Sequence, residues 1–294
     1  MGSGEMVAVK QQSLKAVGLM VVGMMFIPLG DSFAKLAAEA SSYNGVTIAW
    51  TRFVIGMLIV LPLALLTGQF NELKEGFWRA QILRGTLLSS TIACIITAVT
   101  MVPLADAFGA FFIGPVVATL LARFVLGEEV RGVEWAALLA GFVGILLILK
   151  PQGVIATGQL FALGAGCFYG AYLTATRWAA RVGPPLAQLA GQLCVGAILL
   201  MPLAVHHFYS LQIEAPLMLL GSGVSSGIGN LLAIMALGYA RAGLLSPLVY
   251  SQLVSATLIG WLVFADFPDV MTGVGLLIVF VAGLSPMLLK STKA

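Results

Sequence analysis

The apolar and polar positions of this chain fall into long hydrophobic segments separated by short polar breaks. Segments of about 20 apolar residues, the length that carries a helix across the hydrocarbon of a bilayer, lie near 15–34, 45–67, 80–101, 104–125, 132–149, 158–178, 185–205, 216–238, 243–264 and 271–289. The longest polar break runs from Gln69 to Gln81 and holds Trp78, a residue suited to the membrane interface. None of the segments alternates apolar with polar as a barrel strand does. Backbone groups in hydrocarbon must be paired within the element, so all ten are predicted as helices.

The segments also repeat. Gly85-Thr86-Leu87-Leu88-Ser89-Ser90-Thr91-Ile92 is echoed by Gly221-Ser222-Gly223-Val224-Ser225-Ser226-Gly227-Ile228, an offset of 136 residues. Gly56-Met57-Leu58-Ile59-Val60-Leu61-Pro62-Leu63-Ala64 is echoed by Gly196-Ala197-Ile198-Leu199-Leu200-Met201-Pro202-Leu203-Ala204, an offset of 140. Both offsets are near half the length of 294 residues. One five-helix unit is therefore expected twice, at 14–150 and 151–290, between a tail at 1–13 that begins as a cloning remnant and a tail at 291–294. Five is odd, so the second copy enters the membrane from the opposite side. The expected fold is an all-α integral membrane protein of ten transmembrane helices in two inverted five-helix repeats. Inverted repeats are an architecture of carriers, with a site near the midplane where the halves meet.

Composition agrees with a membrane class. Hydrophobic residues make up 60% of the chain, charged residues 9%, and mean hydropathy is +1.04, against about 25% charge in a soluble domain. Twelve basic residues (Lys10, Lys15, Lys74, Arg79, Arg84, Arg123, Arg131, Arg177, Arg181, Arg241, Lys290, Lys293) fall on one side of the ten-span topology and three (Lys35, Arg52, Lys150) on the other. That bias places both termini in the cytoplasm, and the first apolar segment reads as a true helix, not a cleaved signal. The net charge of +3 sets topology and carries no nucleic-acid message.

Several chemistries lack their motifs. There is no phosphate-binding Gly-Lys loop and no His-Glu-x-x-His pair. His206 and His207 read as an outer-loop pair next to Glu214, and no intramembrane His is present to activate a serine. Cys94, Cys167 and Cys194 lie in three different spans without ligand spacing and read as small apolar side chains. No catalytic residue, metal or cofactor is expected. The partners expected are a small-molecule substrate and the lipid bilayer.

Further marks carry a resemblance. They are Pro103-Leu104-Ala105-Asp106-Ala107, the helix with Pro115 that ends Leu126-Gly127-Glu128-Glu129, the Gly144-to-Pro151 exit of the fifth span, Arg241-Ala242-Gly243-Leu244-Leu245-Ser246-Pro247, and Gly260-Trp261-Leu262-Val263-Phe264. Over about 14–290 the chain resembles the drug/metabolite transporter superfamily, of the EamA-like ten-helix kind, and within it the YddG-type bacterial amino-acid exporters. The resemblance implies a bacterial inner-membrane exporter of small metabolites, with amino acids foremost and a multidrug efflux carrier as the alternative. A membrane enzyme without a recognised motif is the reading from outside transport. The chain departs from the pattern at Gln252-Leu253, where Glu-Pro is usual, at Ala265-Asp266, where Gly-Glu is usual, and at Gly114, where Glu would precede Pro115.

Candidate site residues follow from polar groups inside apolar spans. Span 8 carries Ser222, Ser226, Gly229, Asn230 and Ala233 on one face, and span 3 carries Thr86, Ser90, Cys94 and Thr97 on its presumed counterpart. Any single Ser or Thr reads first as a helix-packing residue bonded to its own helix. Asn230, Gln192 and Gln252 read as site residues, because an amide has more groups to satisfy than its own helix offers. Tyr169, Tyr172, Tyr250, Trp50 and Phe111 complete the expected lining with Ser226 and Ser90. Arg52, Asp31 and Asp106 share one level and are read as a gate or a structural pair. No Asp or Glu lies near the centre of a span, so tight proton coupling through a central carboxylate is not expected. Spans 5 and 10, the least polar, are placed at the periphery, where a homodimer would form.

Overall fold

The protein is described from a computed structural model covering residues 3–102, 104–149, 156–205 and 214–264 and, in the tenth span, 270, 271, 273–275, 277, 278, 281 and 282. The side chains of 3–13, 104–106, 109, 145, 148 and 149 lie outside that description. In chain order the helices are α1 (Ser3–Glu39), α2 (Gly45–Leu66), α3 (Phe77–Met101), α4 (Leu104–Phe111), α5 (Gly114–Phe124), α6 (Gly132–Leu149), α7 (Thr157–Trp178), α8 (Pro185–Ala204), α9 (Pro216–Tyr239), α10 (Ala242–Leu245) and α11 (Ser251–Phe264). Six stretches, Leu14–Glu39, Gly45–Leu66, Phe77–Met101, Pro185–Ala204, Pro216–Tyr239 and Ala242–Phe264, are long and apolar enough to cross a membrane. α7 is long enough at 22 residues but less apolar, with Gly166, Tyr169, Gly170, Tyr172, Thr174 and Thr176 buried.

Helix starts follow ordinary capping chemistry. The Asn44 side chain accepts the Thr47 amide at 2.8 Å to open α2. Pro185 and Pro216 open α8 and α9, where a missing N–H costs nothing. Spans 4 and 9, each predicted as one helix, are both broken. Span 4 stops at Phe111 and restarts at Gly114-Pro115, and span 9 passes through a 3-10 turn, Ser246–Tyr250, around Pro247. A proline at each break withholds one backbone donor from the preceding turn, although Pro28, Pro62 and Pro202 lie inside unbroken helices.

The largest interfaces run between the two halves. α1 packs on α9, α3 on α7 and α2 on α8, while the lesser pair α1–α11 is matched by α5–α7 and the pair α3–α8 by α2–α9. Exchanging spans 1–5 with 6–10 turns each of these pairs into the other, as two copies of one unit require. Side chains obey the same exchange. A Cβ on Gly56 would press on Leu193 and one on Gly196 on Phe53, and 53 and 56 plus 140 are 193 and 196. A Cβ on Gly85 would stand 2.6 Å from Val195, and one on Gly223 2.6 Å from Ile55; Ile55 and Val195 are again 140 apart, and the two glycines 138. The structural mate of Gly85 is thus Gly223, two residues beyond the Gly221 that the echo suggests, because the small-residue run around 221–227 fits either register. Where α1 crosses α9, a Cβ on Gly23 would lie 2.9 Å from the Gly229 carbonyl and one on Gly229 2.8 Å from that of Gly23, the close approach typical of small residues in membranes.

The interior is the polar part of the bundle. Leu58, Leu66, Leu203 and Leu262 are exposed, while Asp31, Arg52, Gln81, Arg84, Gln188, Gln192, Asn230 and Gln252 are buried. A lipid-facing surface permits this arrangement; the buried charges call for partners.

Candidate functional site

The buried polar groups surround one small central cavity between the halves. Its walls are Ile27 and Asp31 of α1, Arg52 of α2, Leu88, Thr91, Ile92 and Ile95 of α3, Phe108 and Phe111 of α4, Tyr169 of α7, Ser226 and Asn230 of α9 and Gln252 of α11. The free space, about 30 Å³, admits a water or two and no organic solute. Loading therefore requires one end of the bundle to part.

One end is held by Arg52. Its Nη1 donates to Asp31 Oδ1 at 2.8 Å and its Nε to Ser222 Oγ at 3.0 Å, with both charged residues 3% exposed. Nearby, the Glu214 carboxylate accepts the Ser42 amide and hydroxyl, and the Tyr43 hydroxyl accepts the Glu214 amide at 3.3 Å. The opposite end, the basic face, is held by the loop after α5. Glu128 accepts Arg177 Nε at 3.1 Å and the Gly243 amide at 3.3 Å, while Arg177 also donates to the Leu237 carbonyl. Arg241 donates to the Glu129 carbonyl at 2.6 Å and to Glu134 at 3.2 Å, joining the start of α10 to α6.

The expected site residues divide into three groups. Tyr169, Phe111, Ser226, Asn230, Gln252, Arg52 and Asp31 line the cavity. Tyr172 and Gln192 stand behind it: the Tyr172 hydroxyl donates to Asn230 Oδ1 at 3.4 Å and accepts from Gln192 Nε2 at 3.1 Å. Trp50, Tyr250 and Ser90 are not in the wall. Trp50 Nε1 donates to the Ala197 carbonyl at 2.9 Å across the α2–α8 interface. Tyr250 lies on Gly141 and donates to the Leu138 carbonyl, so α6 supports the turn of span 9 and is not merely peripheral. On α3 the inward stripe is Leu88, Thr91, Ile92 and Ile95, whereas Thr86 is exposed and Ser90, Cys94 and Thr97 are half-buried. The side chain of Asp106, Ser285 and the pair His206 and His207 lie outside the described residues. Asn230 also departs from expectation, since its Nδ2 donates to the Ser226 carbonyl of its own helix at 2.9 Å.

Two cavity residues keep a buried polar atom without a partner: Arg52 Nη2, a donor, and Gln252 Oε1, an acceptor. Gln252 Nε2 donates to the Met24 sulfur at 3.0 Å. A second buried arginine, Arg84, is one that the sequence assigns only to the basic side. Arg84 is fully buried, seven residues inside α3, as Arg52 is seven residues inside α2. It lies one turn from Leu88 toward the basic face. An aromatic series connects it to the cavity, Phe111 to Tyr169 at 5.2 Å, Tyr169 to Tyr172 at 5.9 Å, and Tyr172 under the guanidinium at 5.8 Å. The position of Arg84 inside a helix that begins at Phe77 is the signal that would have found it.

Comparison with known proteins sets this geometry in a family. The family model of the EamA-like transporter family matches residues 14–150 and again 156–284. The chain is 24% identical over 280 residues to an S-adenosylmethionine uptake transporter of Rickettsia bellii, covering 94% of each chain. It is 23% identical over 264 residues to a riboflavin transporter of Vibrio cholerae, covering 89% of each. It is 26% identical over 263 residues to a pseudopaline exporter of Pseudomonas aeruginosa, covering 84% of this chain and 88% of that one. A solved crystal structure has the same fold, with a TM-score of 0.74 and 18% identity over 94% of this chain and 99% of the other. With a central cavity between two halves, polar groups inside and lipid-facing leucines outside, the chain is a multi-pass membrane transporter of small metabolites, not an enzyme, and it belongs to the EamA-like transporter family.

Proposed function

We propose that this transporter carries a small zwitterion of amino-acid type across the bacterial inner membrane, by alternating access to the central cavity. The observation that carries the reading is the pair of unpartnered atoms in one cavity wall, Arg52 Nη2 and Gln252 Oε1. A guanidinium donor suits a carboxylate. An amide oxygen beside the rings of Phe108, Phe111 and Tyr169 suits an ammonium group and an apolar side chain. A multiply charged sugar phosphate would call for more cations than the one in this wall. The aromatic groups favour the multidrug alternative, but a broad apolar pocket has no use for two orphaned polar atoms. S-adenosylmethionine, named for one relative, has an amino-acid end; riboflavin, named for another, has none. Export is the direction the sequence resemblance implies, and one relative, the pseudopaline exporter, is named for it. Relatives named for uptake and for export are about equally similar, so flux is measured both ways.

The test is flux of the twenty amino acids into and out of proteoliposomes, with and without a pH gradient. Saturable flux of a subset is expected, and an effect of the gradient would assign the coupling to Asp31, the carboxylate in the cavity wall. Flux confined to lipophilic cations would assign the chain to the multidrug class.

We also propose that the basic face is cytoplasmic. Arg84 and Arg52, both buried inside helices, leave the count, which becomes eleven against two and still points the same way. In a background lacking Cys94, Cys167 and Cys194, a cysteine at the exposed Glu72 should resist an impermeant thiol reagent in intact cells, and one at the exposed Ala40 should react. Reaction at 72 and not at 40 would invert the topology.

A further inference from the structure

We infer that Arg84, with Gln81, forms a second carboxylate-binding site below the cavity on the basic-face side, which receives the substrate's carboxylate when that end opens. The inference rests on the amino-acid reading above and adds a residue and a place to it.

Among the described residues, Arg84 is a buried cation without an anion. Its Nε donates to Thr176 Oγ1 at 3.1 Å, and its Nη1 to Gln81 Oε1 at 2.8 Å and Gln188 Oε1 at 2.9 Å. All three partners are neutral, and Gln188 is further occupied in donating to the Gly183 carbonyl at 2.6 Å. Arg52, at the same depth from the other end, has the carboxylate of Asp31. The inner cluster also lacks acceptors. Arg84 Nη2 and Gln81 Nε2 are both buried with no partner, and both residues are fully buried. Each such atom is costly to leave unpaired, and an uncompensated buried charge costs more. Two free donors beside an unbalanced positive charge call for one anion with two acceptor oxygens, which is a carboxylate.

The position links this cluster to the transport route. Arg84 continues the inward stripe of α3 one turn beyond Leu88, and Phe111, Tyr169 and Tyr172 run from the cavity to its guanidinium. The two arginines thus stand on either side of the cavity, each about 10 Å inside its helix end at 1.5 Å per residue. The outer one is paired within the protein, and the inner one lacks an anion. A carboxylate leaving Arg52 toward the basic face meets its next cation at Arg84.

The test uses the best-carried amino acid of the flux screen and, as competitor, the same compound with its carboxylate replaced by a carboxamide. Arg84→Gln should raise KM for the amino acid at least tenfold while the half-inhibitory concentration of the carboxamide stays within twofold. Gln81→Leu, which keeps the arginine, should raise the same KM about threefold, and Arg84→Lys should recover part of the loss. Equal weakening of amino acid and carboxamide in Arg84→Gln and Gln81→Leu would make the cluster structural and overturn the inference. Flux that needs chloride in the wild type but not in Arg84→Gln, measured with gluconate as the replacement, would assign the site to an inorganic anion and overturn it as well. A wild type that carries no amino acid would instead remove the reading on which the inference rests.

Discussion

Asp31→Ala is expected to destabilise the protein by about 3–5 kcal/mol, because it leaves the Arg52 guanidinium buried with only the Ser222 hydroxyl. The same loss should open the end of the bundle where α1, α2 and α9 meet, since that end is held shut by interactions made only when it is closed. A cysteine at the cavity residue Ile95, in the background lacking Cys94, Cys167 and Cys194, reports the opening as faster reaction with an external thiol reagent. Adding Arg52→Met to Asp31→Ala removes the unpaired charge. The double variant should regain most of the stability, by about 2 kcal/mol or more, and still label fast. Slow labelling in both variants, with the same stability pattern, would make the pair a structural bridge and not a gate.

Gln252→Leu should move stability and transport in opposite directions. The wild-type side chain leaves Oε1 buried and unpaired, so an apolar residue of similar size is expected to stabilise the fold by about 1 kcal/mol. If the orphaned oxygen receives the substrate's ammonium group, flux at low substrate falls at least tenfold, about 1.4 kcal/mol of lost binding. Melting temperature and KM, measured on one preparation, give the answer. A more stable protein with unchanged KM would remove Gln252 from the site. Burying a polar atom that folding does not need is how a binding site departs from a packed core.

These residues show what the sequence could and could not reveal. Span positions were legible because an apolar run of membrane length has few other readings, and the halves were legible because Gly56 and Gly196 keep their roles against Leu193 and Phe53. The face of α9 was legible because Ser222, Ser226 and Asn230 stand out in an otherwise apolar helix. The face of α3 was misjudged for a physical reason. Thr86 donates to the Ile82 carbonyl and Thr97 to the Ala93 carbonyl, so each hydroxyl is satisfied by its own helix and is indifferent to the direction it faces. Asn230 is partly satisfied the same way, through the Ser226 carbonyl. Trp50 and Tyr250 carry large apolar rings that serve helix packing as well as a ligand, and the sequence does not separate these uses. Arg84 was hidden by its neighbour Arg79 and by a predicted helix start at 80; with α3 beginning at Phe77, the arginine lies inside the membrane. The breaks in spans 4 and 9 stand at Pro115 and Pro247, and the sequence does not separate these prolines from Pro28, Pro62 and Pro202, which lie inside unbroken helices.

If the two halves alternately expose one amino-acid site, the protein will support counterflow. Proteoliposomes loaded with an unlabelled amino acid, then diluted into a trace of the same compound labelled, should accumulate label transiently above equilibrium, and Gln252→Leu should reduce that overshoot about tenfold at low substrate. Simple equilibration without overshoot, in liposomes shown to contain folded protein, would contradict a carrier with a single alternating site.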